Sequence, residues 1–499
     1  MTSEGRPPRV AIIGAGITGL AAAHRLISLS PQVRVTVLEA SSHAGGIIRT
    51  VHRDGFLVEL GPDSFITNKP GAIQLCEEIG FSDQLIPTEP AWRRSLVLRN
   101  GKPQPVPDGF MLMAPSRPWS VMTSPVLSIT GKLRLLGEWF VPRRRSKEDE
   151  CLASFVRRRF GREALERLVQ PLVGGIYTSD PEKLSLQATL PRFPEMEERY
   201  GSVIRATLKQ AAAAGRQKTE QDSGSGARYG LFLTAKQGLT QLTDAVAAAC
   251  LGSGRVQLEL NRRVRNIRRS DLPQDGVSEA AAGGRRTSTG WSVTLDDHSE
   301  GRKFDSVIMT LPTHPAANLF CDPEFSQLQK SLRAIEYASS AIVVSGHRLS
   351  DFSHPLDAFG LVIPDIEHRK ILAVSFSSRK FSGRAPEGKV LLRTFVGGAM
   401  QPELLNQSDE EIRGSVNQEL RAILGMSQMP EFSDVVRYEN AMPQYHVGHL
   451  QRVASIEKCL AVIPGLLFAG SAYYGVGIPD SISSGRMAAE SVVRGLQAG

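Results

Sequence analysis

The 499-residue chain is 41% hydrophobic and 22% charged, an ordinary soluble globular composition long enough for two or three domains with sizeable cores. Its five cysteines (Cys76, Cys151, Cys250, Cys321, Cys459) are scattered and never form Cys-x-x-Cys, and its ten histidines form no His-x-x-x-His; disulfides and metal sites are not expected, and a reducing compartment is. The net charge of +8 suits an anionic membrane surface or an acidic substrate, while nucleic acid is set aside because no helix-turn-helix, zinc finger or aromatic-studded basic sheet is present.

Residues 1–8 are too short and polar for a signal or transit peptide, and no stretch reaches the roughly 18 to 20 apolar residues of a membrane-spanning helix. A cytoplasmic protein, or one resting peripherally on the inner face of the cell membrane, is expected. Residues 10–13 form a continuous apolar run, suited to a parallel strand buried on both faces. Gly14, Gly16 and Gly19 follow at once. The first permits a tight turn, the second lets backbone approach a pyrophosphate, and the third lets helix and strand pack closely. Residues 20–29 continue as a helix whose N-terminus points free N–H groups at the phosphates. A second strand, 33–38, ends on Glu39, twenty residues after Gly19, where a carboxylate can accept both hydroxyls of an adenosine ribose. Strand, glycines, helix, strand and acid in register mark a dinucleotide site.

Gly45-Gly46 follows the acid, then Ile47-Ile48-Arg49. This resembles the extended signature of the FAD-containing amine oxidase and porphyrinogen oxidase superfamily. The resemblance implies FAD, held non-covalently, against Gly14, Ala15, Gly16, Ile17, Thr18, Gly19, Glu39, Ala40, Gly45, Gly46 and Arg49. Residues 55–59 read as a short strand leading to Gly61-Pro62-Asp63-Ser64, a turn that brings backbone close to a flat ligand. Residues 70–80 read as a helix burying Ile73, Leu75, Cys76 and Ile79. Residues 92–102 read as a hairpin turning at Asn100-Gly101. One of Arg93, Arg94 or Arg99 could hold a carboxylate, since guanidinium pairs with it through two parallel hydrogen bonds.

Residues 110–141 set apolar and aromatic anchors, among them Trp119, Trp139 and Phe140, beside Arg117, Lys132 and Arg134, with Arg143 to Arg145 beyond. That mixture is what an interfacial, non-spanning segment uses, with the basic excess facing anionic lipid. The alternative is a helical lobe whose apolar face lines an internal cavity. Residues 152–175 begin as an amphipathic helix and run into Pro171-Leu-Val-Gly-Gly175-Ile-Tyr177-Thr-Ser-Asp-Pro-Glu-Lys-Leu-Ser185. With Phe155-Val156 and Phe160-Gly161 before it, this run resembles the oxygen-dependent protoporphyrinogen/coproporphyrinogen oxidase family.

Residues 209–229 read as a flexible excursion. Order resumes at Gly238 and the helix through Ala249, and 256–267 offers strands. In the family a valine there meets the adenine through its backbone, which carries over to Val264. Residues 271–290 read as a polar loop, and 304–312 as a buried strand ending in a turn. Residues 341–346, 358–363, 371–375 and 390–396 read as strands of one antiparallel sheet, and 409–424 as a helix capped by Ser408. Residues 437–450 again resemble the family, which implies a flavin contact at Tyr438, where many relatives carry tryptophan. A strand at 465–471 leads to Gly470, Val476, Gly477 and Ile478 and a helix at 485–496. In relatives this turn and helix N-terminus close over the isoalloxazine, where the helix dipole favours the anionic reduced flavin.

The expected fold is α/β (α+β): a discontinuous, Rossmann-like FAD-binding domain (1–90, 230–330, 437–499), an inserted antiparallel-sheet substrate domain (91–114, 196–229, 331–436) and a helical, membrane- or cavity-facing domain (115–195). The resemblance, which spans 10–492, implies oxidation of protoporphyrinogen IX to protoporphyrin IX in three two-electron steps, with O2 reoxidising the flavin to release H2O2. Coproporphyrinogen III is the alternative substrate; its two propionates in place of two vinyls would ask for more cationic partners. Asp63 is the candidate to polarise or accept from the substrate, the Gly175 carbonyl a candidate contact, and Arg94 the candidate for a propionate, although it stands one residue off the family's spacing to Asn100-Gly101. Expected partners are the porphyrinogen, O2, and a ferrochelatase or a second copy of the chain. A flavin amine oxidase or carotenoid desaturase, and a non-catalytic FAD-fold scaffold at a membrane, are the competing readings. No cysteine stands in 470–479 to attach the flavin covalently.

Overall fold

The computed structural model describes residues 6–115, 118–215, 232–272 and 288–498; Arg117 and most of the two expected loops, 216–229 and 273–287, lie outside them. At the centre is a five-stranded parallel sheet ordered Val256–Glu259, Arg34–Leu38, Arg9–Ile13, Ser306–Met309 and Leu466–Phe468. Two of its members, Arg9–Ile13 and Arg34–Leu38, are joined by one helix, the other three come from distant parts of the chain, and each adjacent pair is parallel. Side chains alternate along a strand, so Val10 and Ile12 enter one apolar cluster while Ala11 and Ile13 enter another. The first cluster is closed by the helices Ile17–Leu29, Thr240–Gly252 and Ile478–Ala498. Burial on both faces is why the inner strands are rich in apolar residues, while the edge strand Val256–Glu259, less buried, carries Gln257 and Glu259.

The closing helix starts at Ile478, not at 485 as expected. Pro479 suits a first turn because its missing N–H has no partner to lose there. Gly485, read as the helix start, instead allows close packing: a Cβ on it would stand 2.2 Å from the Thr18 carbonyl oxygen. An Arg25–Glu490 pair at 2.7 Å joins the same two helices.

A seven-stranded sheet runs Phe432–Pro443, Tyr337–Arg348, Lys389–Gly397, Ala373–Phe376, Gly360–Val362, Ser95–Arg99 and Lys102–Pro105. The four expected strands are present, but the sheet is mixed, since Gly360–Val362 pairs parallel to Ser95–Arg99. The boundary expected at 437 falls inside the strand Phe432–Pro443, so residues 437–443 pair within this sheet. Asp409–Leu424 covers one face, and Ser408 and Glu411 cap it reciprocally.

Helices between 118 and 215 enclose a third cluster containing Phe155, Phe160, Leu168 and Phe193. Val203 and Ile204, expected with the sheet, pack here, and the helix Val203–Gly215 extends through its alanines into the expected excursion. A buried ion pair holds the layer together. Glu138 pairs with Arg159, both fully buried, and accepts from the N–H groups of Val203 and Ile204 at 2.9 and 3.2 Å. Arg159 also donates to the carbonyls of Gly201 and Val141, each at 2.9 Å.

Candidate cofactor and substrate site

The glycine turn sits where the strand Arg9–Ile13 ends and the first helix begins. Gly14 adopts φ +105°, a conformation open to glycine, and donates to the Leu38 carbonyl at 2.8 Å. A Cβ on Gly19 would stand 2.0 Å from the Gly14 carbonyl oxygen, so helix and turn touch through backbone. Gly16 differs: a Cβ there would meet no protein atom within 4 Å. No side chain caps the helix at Gly16, and its first turn has no acid. Uncapped N–H groups facing open space fit an anionic diphosphate.

Glu39 reaches this turn, accepting from the Ala15 N–H at 2.8 Å and from the Ser41 N–H and hydroxyl at 2.9 Å. Gly45 donates to the Ala15 carbonyl at 2.8 Å, and a Cβ on Gly46 would stand 3.2 Å from the Gly16 Cα. The two glycine clusters are therefore one surface. Arg262 donates to the Glu39 carbonyl at 2.7 Å, which brings the strand beginning at Val264 to the same corner. The Val264 side chain is buried in the core, and the residue opens the strand paired with Ser288–Leu295. Ala40 and Arg49 are exposed, and Ile47 keeps more than half of its surface open beside Gly46.

The turn at 61–64 closes the next side. A Cβ on Gly61 would stand 1.8 Å from the Ile47 carbonyl oxygen, and the Tyr438 hydroxyl donates to the Leu60 carbonyl at 2.8 Å. Asp63 accepts from Lys380 at 2.9 Å and from the Ser64 hydroxyl at 2.8 Å, and lies 3.3 Å from Arg393, which also donates to the Gly61 carbonyl. Burial alone would raise the Asp63 pKa, but the Lys380 and Arg393 charges outweigh it and hold the carboxyl well below its usual range. Neither cation was among the candidates. The signal for Arg393 was its place inside the apolar run 390–396, since a buried arginine is almost never unpaired.

Residues 470–478 complete the site. Gly470 and Gly475 adopt φ +134° and +152°. Tyr445 braces this loop: its hydroxyl donates to the Ser471 carbonyl at 2.6 Å and accepts from the Gly475 N–H at 2.8 Å. The ring stacks on His449 at 3.8 Å, and His449 in turn bonds the Tyr473 carbonyl at 3.0 Å. Val476 lies against the helical cluster, while Gly477 and Ile478 form the N-terminal turn of the closing helix.

The two substrate candidates are differently placed. Gly175 lies in the last turn of the helix Gln170–Tyr177, where carbonyls lack intrahelical donors. It lines a cavity with Gln170, Thr178, Leu372, Gly398 and Met400. Arg94 is not part of that lining; its guanidinium is half-exposed and committed to Asp357.

A family model described as flavin-containing amine oxidoreductase matches residues 17–493. The chain belongs to this family. It is an FAD oxidoreductase, and the open space at Gly16 with the Glu39 carboxylate at the same turn is compatible with the diphosphate and ribose of that cofactor. Among relatives, a coproporphyrinogen III oxidase of Bacillus subtilis (strain 168) is 33% identical, the match covering 97% of this chain and 98% of that protein. The mitochondrial protoporphyrinogen oxidase of Nicotiana tabacum is 28% identical over 98% of this chain and 95% of its own. A crystal structure from Exiguobacterium sp. 255-15, provisionally named a protoporphyrinogen oxidase, superposes at a TM-score of 0.81 with 27% identity and full coverage of both chains.

Proposed function

We propose that the chain oxidises protoporphyrinogen IX to protoporphyrin IX with O2, releasing H2O2. The observation that carries this reading is similarity along essentially the whole chain to enzymes named for porphyrinogen oxidation. FAD, when bound, accepts the hydride equivalents. The chain's own residues bind and orient. The Gly175 helix end and the Leu372 and Met400 side chains form a wall for a flat macrocycle, and Asp63, ionised at neutral pH, accepts hydrogen bonds from pyrrole N–H groups. Its low proton affinity makes it a poor base, so the pyrrole protons leave to solvent.

Coproporphyrinogen III is the second reading, favoured by relatives so named at 32–35% identity. Against it, Arg94, the candidate propionate ligand, is already paired with Asp357. Purified holoenzyme given each porphyrinogen in air is expected to raise porphyrin fluorescence faster with protoporphyrinogen. No acceleration over autoxidation for either substrate would sink the proposal, and a faster coproporphyrinogen rate would select the second reading.

The discontinuous FAD domain, and a ferrochelatase or second copy receiving the poorly soluble product, belong to the same proposal. So does peripheral contact with a membrane from the cytoplasmic side. No helix among the described residues is long and apolar enough to cross one. Phe140 is 86% and Trp119 78% exposed, with Ile129 and Leu133 also open beside Lys132 and Arg134. Replacing Phe140 and Trp119 by serine is expected to weaken binding to anionic vesicles about tenfold or more per side chain. Unchanged co-sedimentation would leave the segment as a lobe of the fold only.

A further inference from the structure

Behind the turn at 61–64 three cations gather: Arg384 and Arg393, both buried, and Lys380, partly buried. Two carboxylates face them. Asp63 contacts Lys380 and Arg393 directly, while Glu59 accepts from the Thr50 hydroxyl and the Leu239 N–H, both at 2.7 Å. Arg384, 2% exposed, donates to the carbonyls of Lys236, Ser382 and Ala235 and to the Thr234 hydroxyl. With both carboxylates ionised the group still carries one positive charge in excess. An unbalanced buried charge is expensive unless an anion completes it. Arg393 Nε is also buried without a hydrogen-bond partner among the described residues.

The excess is directed at the cofactor site. Arg393 donates to the Gly61 carbonyl, and Lys380 donates to the Ser64 hydroxyl at 2.9 Å. Gly61 packs on the Ile47 carbonyl, next to Gly46, and Arg393 and Arg49 both act electrostatically on Tyr438. We propose that Lys380 and Arg393 set the reduction potential of the bound flavin by stabilising the negative charge the reduced cofactor carries, with Asp63 holding them in place and partly offsetting them. In a buried site such charges act with little screening, and flavin electronics respond to nearby charge. The proposal rests on the FAD assignment and not on the identity of the substrate.

The test is the midpoint potential of the holoenzyme, titrated with a chemical reductant against a reference dye and without any porphyrinogen. Lys380→Met is expected to make the potential more negative, by about tenfold in the oxidised-to-reduced equilibrium, or about 30 mV for a two-electron couple. Asp63→Asn, which removes the offsetting charge, is expected to shift it the other way, and Lys380→Arg to leave it near the parent value. Opposite signs are the signature of charge, because a merely structural disturbance does not reverse with the sign of the charge removed. Unchanged potentials, or shifts of Lys380→Met and Asp63→Asn in one direction, overturn the proposal. Should Lys380→Met not retain flavin, the other two variants decide: a parent-like Lys380→Arg with a raised Asp63→Asn supports it, and any other combination overturns it. An enzyme that oxidises neither porphyrinogen would still give these potentials, so the two failures stay distinct.

Discussion

Valine at Gly16 is expected to abolish FAD retention while leaving the fold intact, whereas valine at Gly19 is expected to lose both. Gly16 has φ −65°, which any residue adopts, and open space where a Cβ would go. Stability should change by only about 0.5 kcal/mol, as for an exposed substitution. The new side chain would occupy the approach of the diphosphate to the helix N-terminus, and we expect flavin affinity to fall by about a hundredfold or more, as the blocked N–H contacts and lost fit together exceed about 2.7 kcal/mol. At Gly19 the Cβ would press on the Gly14 backbone, which cannot rotate away, and overpacking of this kind costs about 1–3 kcal/mol or more. Flavin absorbance of the purified variants and their urea midpoints separate the cases. A Gly16→Val protein that stays yellow would remove the diphosphate from this turn.

Breaking the Glu138–Arg159 pair is the second large effect. Both side chains are fully buried, and Glu138 also receives the N–H groups that open the helix Val203–Gly215. Glu138→Ala removes the nearer of the two carboxylates facing the buried guanidinium, which keeps Glu197 at 3.5 Å, and leaves two helix N–H groups without their acceptor, so a cost of about 3 kcal/mol is expected. Arg159→Met should cost a similar amount. The double variant should fall short of the sum, because removing both charges leaves neither unpaired. Denaturant midpoints of the three proteins measure this, and strict additivity would show that the pair does not couple. Glu138 directly precedes Trp139 and Phe140, so its loss should also weaken vesicle binding by loosening the surface that presents them.

Local signals made much of this architecture legible. The apolar run before Gly14, the spacing of the three glycines and Glu39 at the end of the second strand each follow from backbone geometry within a few residues, and the structure brings Gly45 onto the same surface through the Ala15 carbonyl. Ser408 announced its helix because a cap is a local hydrogen bond. What stayed hidden was long-range. Lys380 and Arg393 meet Asp63 from more than 300 positions away, and no periodicity records that meeting. Arg94 looked available as a carboxylate ligand because Asp357, its actual partner, is distant in sequence. The late start assigned to the closing helix has the same origin: Gly485 resembles a boundary until the first helix is seen lying against it.

The packing of the last helix on the first carries a consequence for the order of events in the cell. The strand Leu466–Phe468, the loop at 470–478 and the helix Ile478–Ala498 are synthesised more than 400 residues after the glycine turn, yet the strand forms the edge of the central sheet and the helix packs on the first one. The glycine turn, made earlier, waits through the synthesis of both intervening layers before this packing partner exists. The apolar face of the first helix therefore stays uncovered until its distant counterpart has been made, a long-range closure of the kind that folds slowly. A cofactor that binds only the closed form stabilises it by mass action, so the flavin-free protein is expected to unfold at the lower temperature.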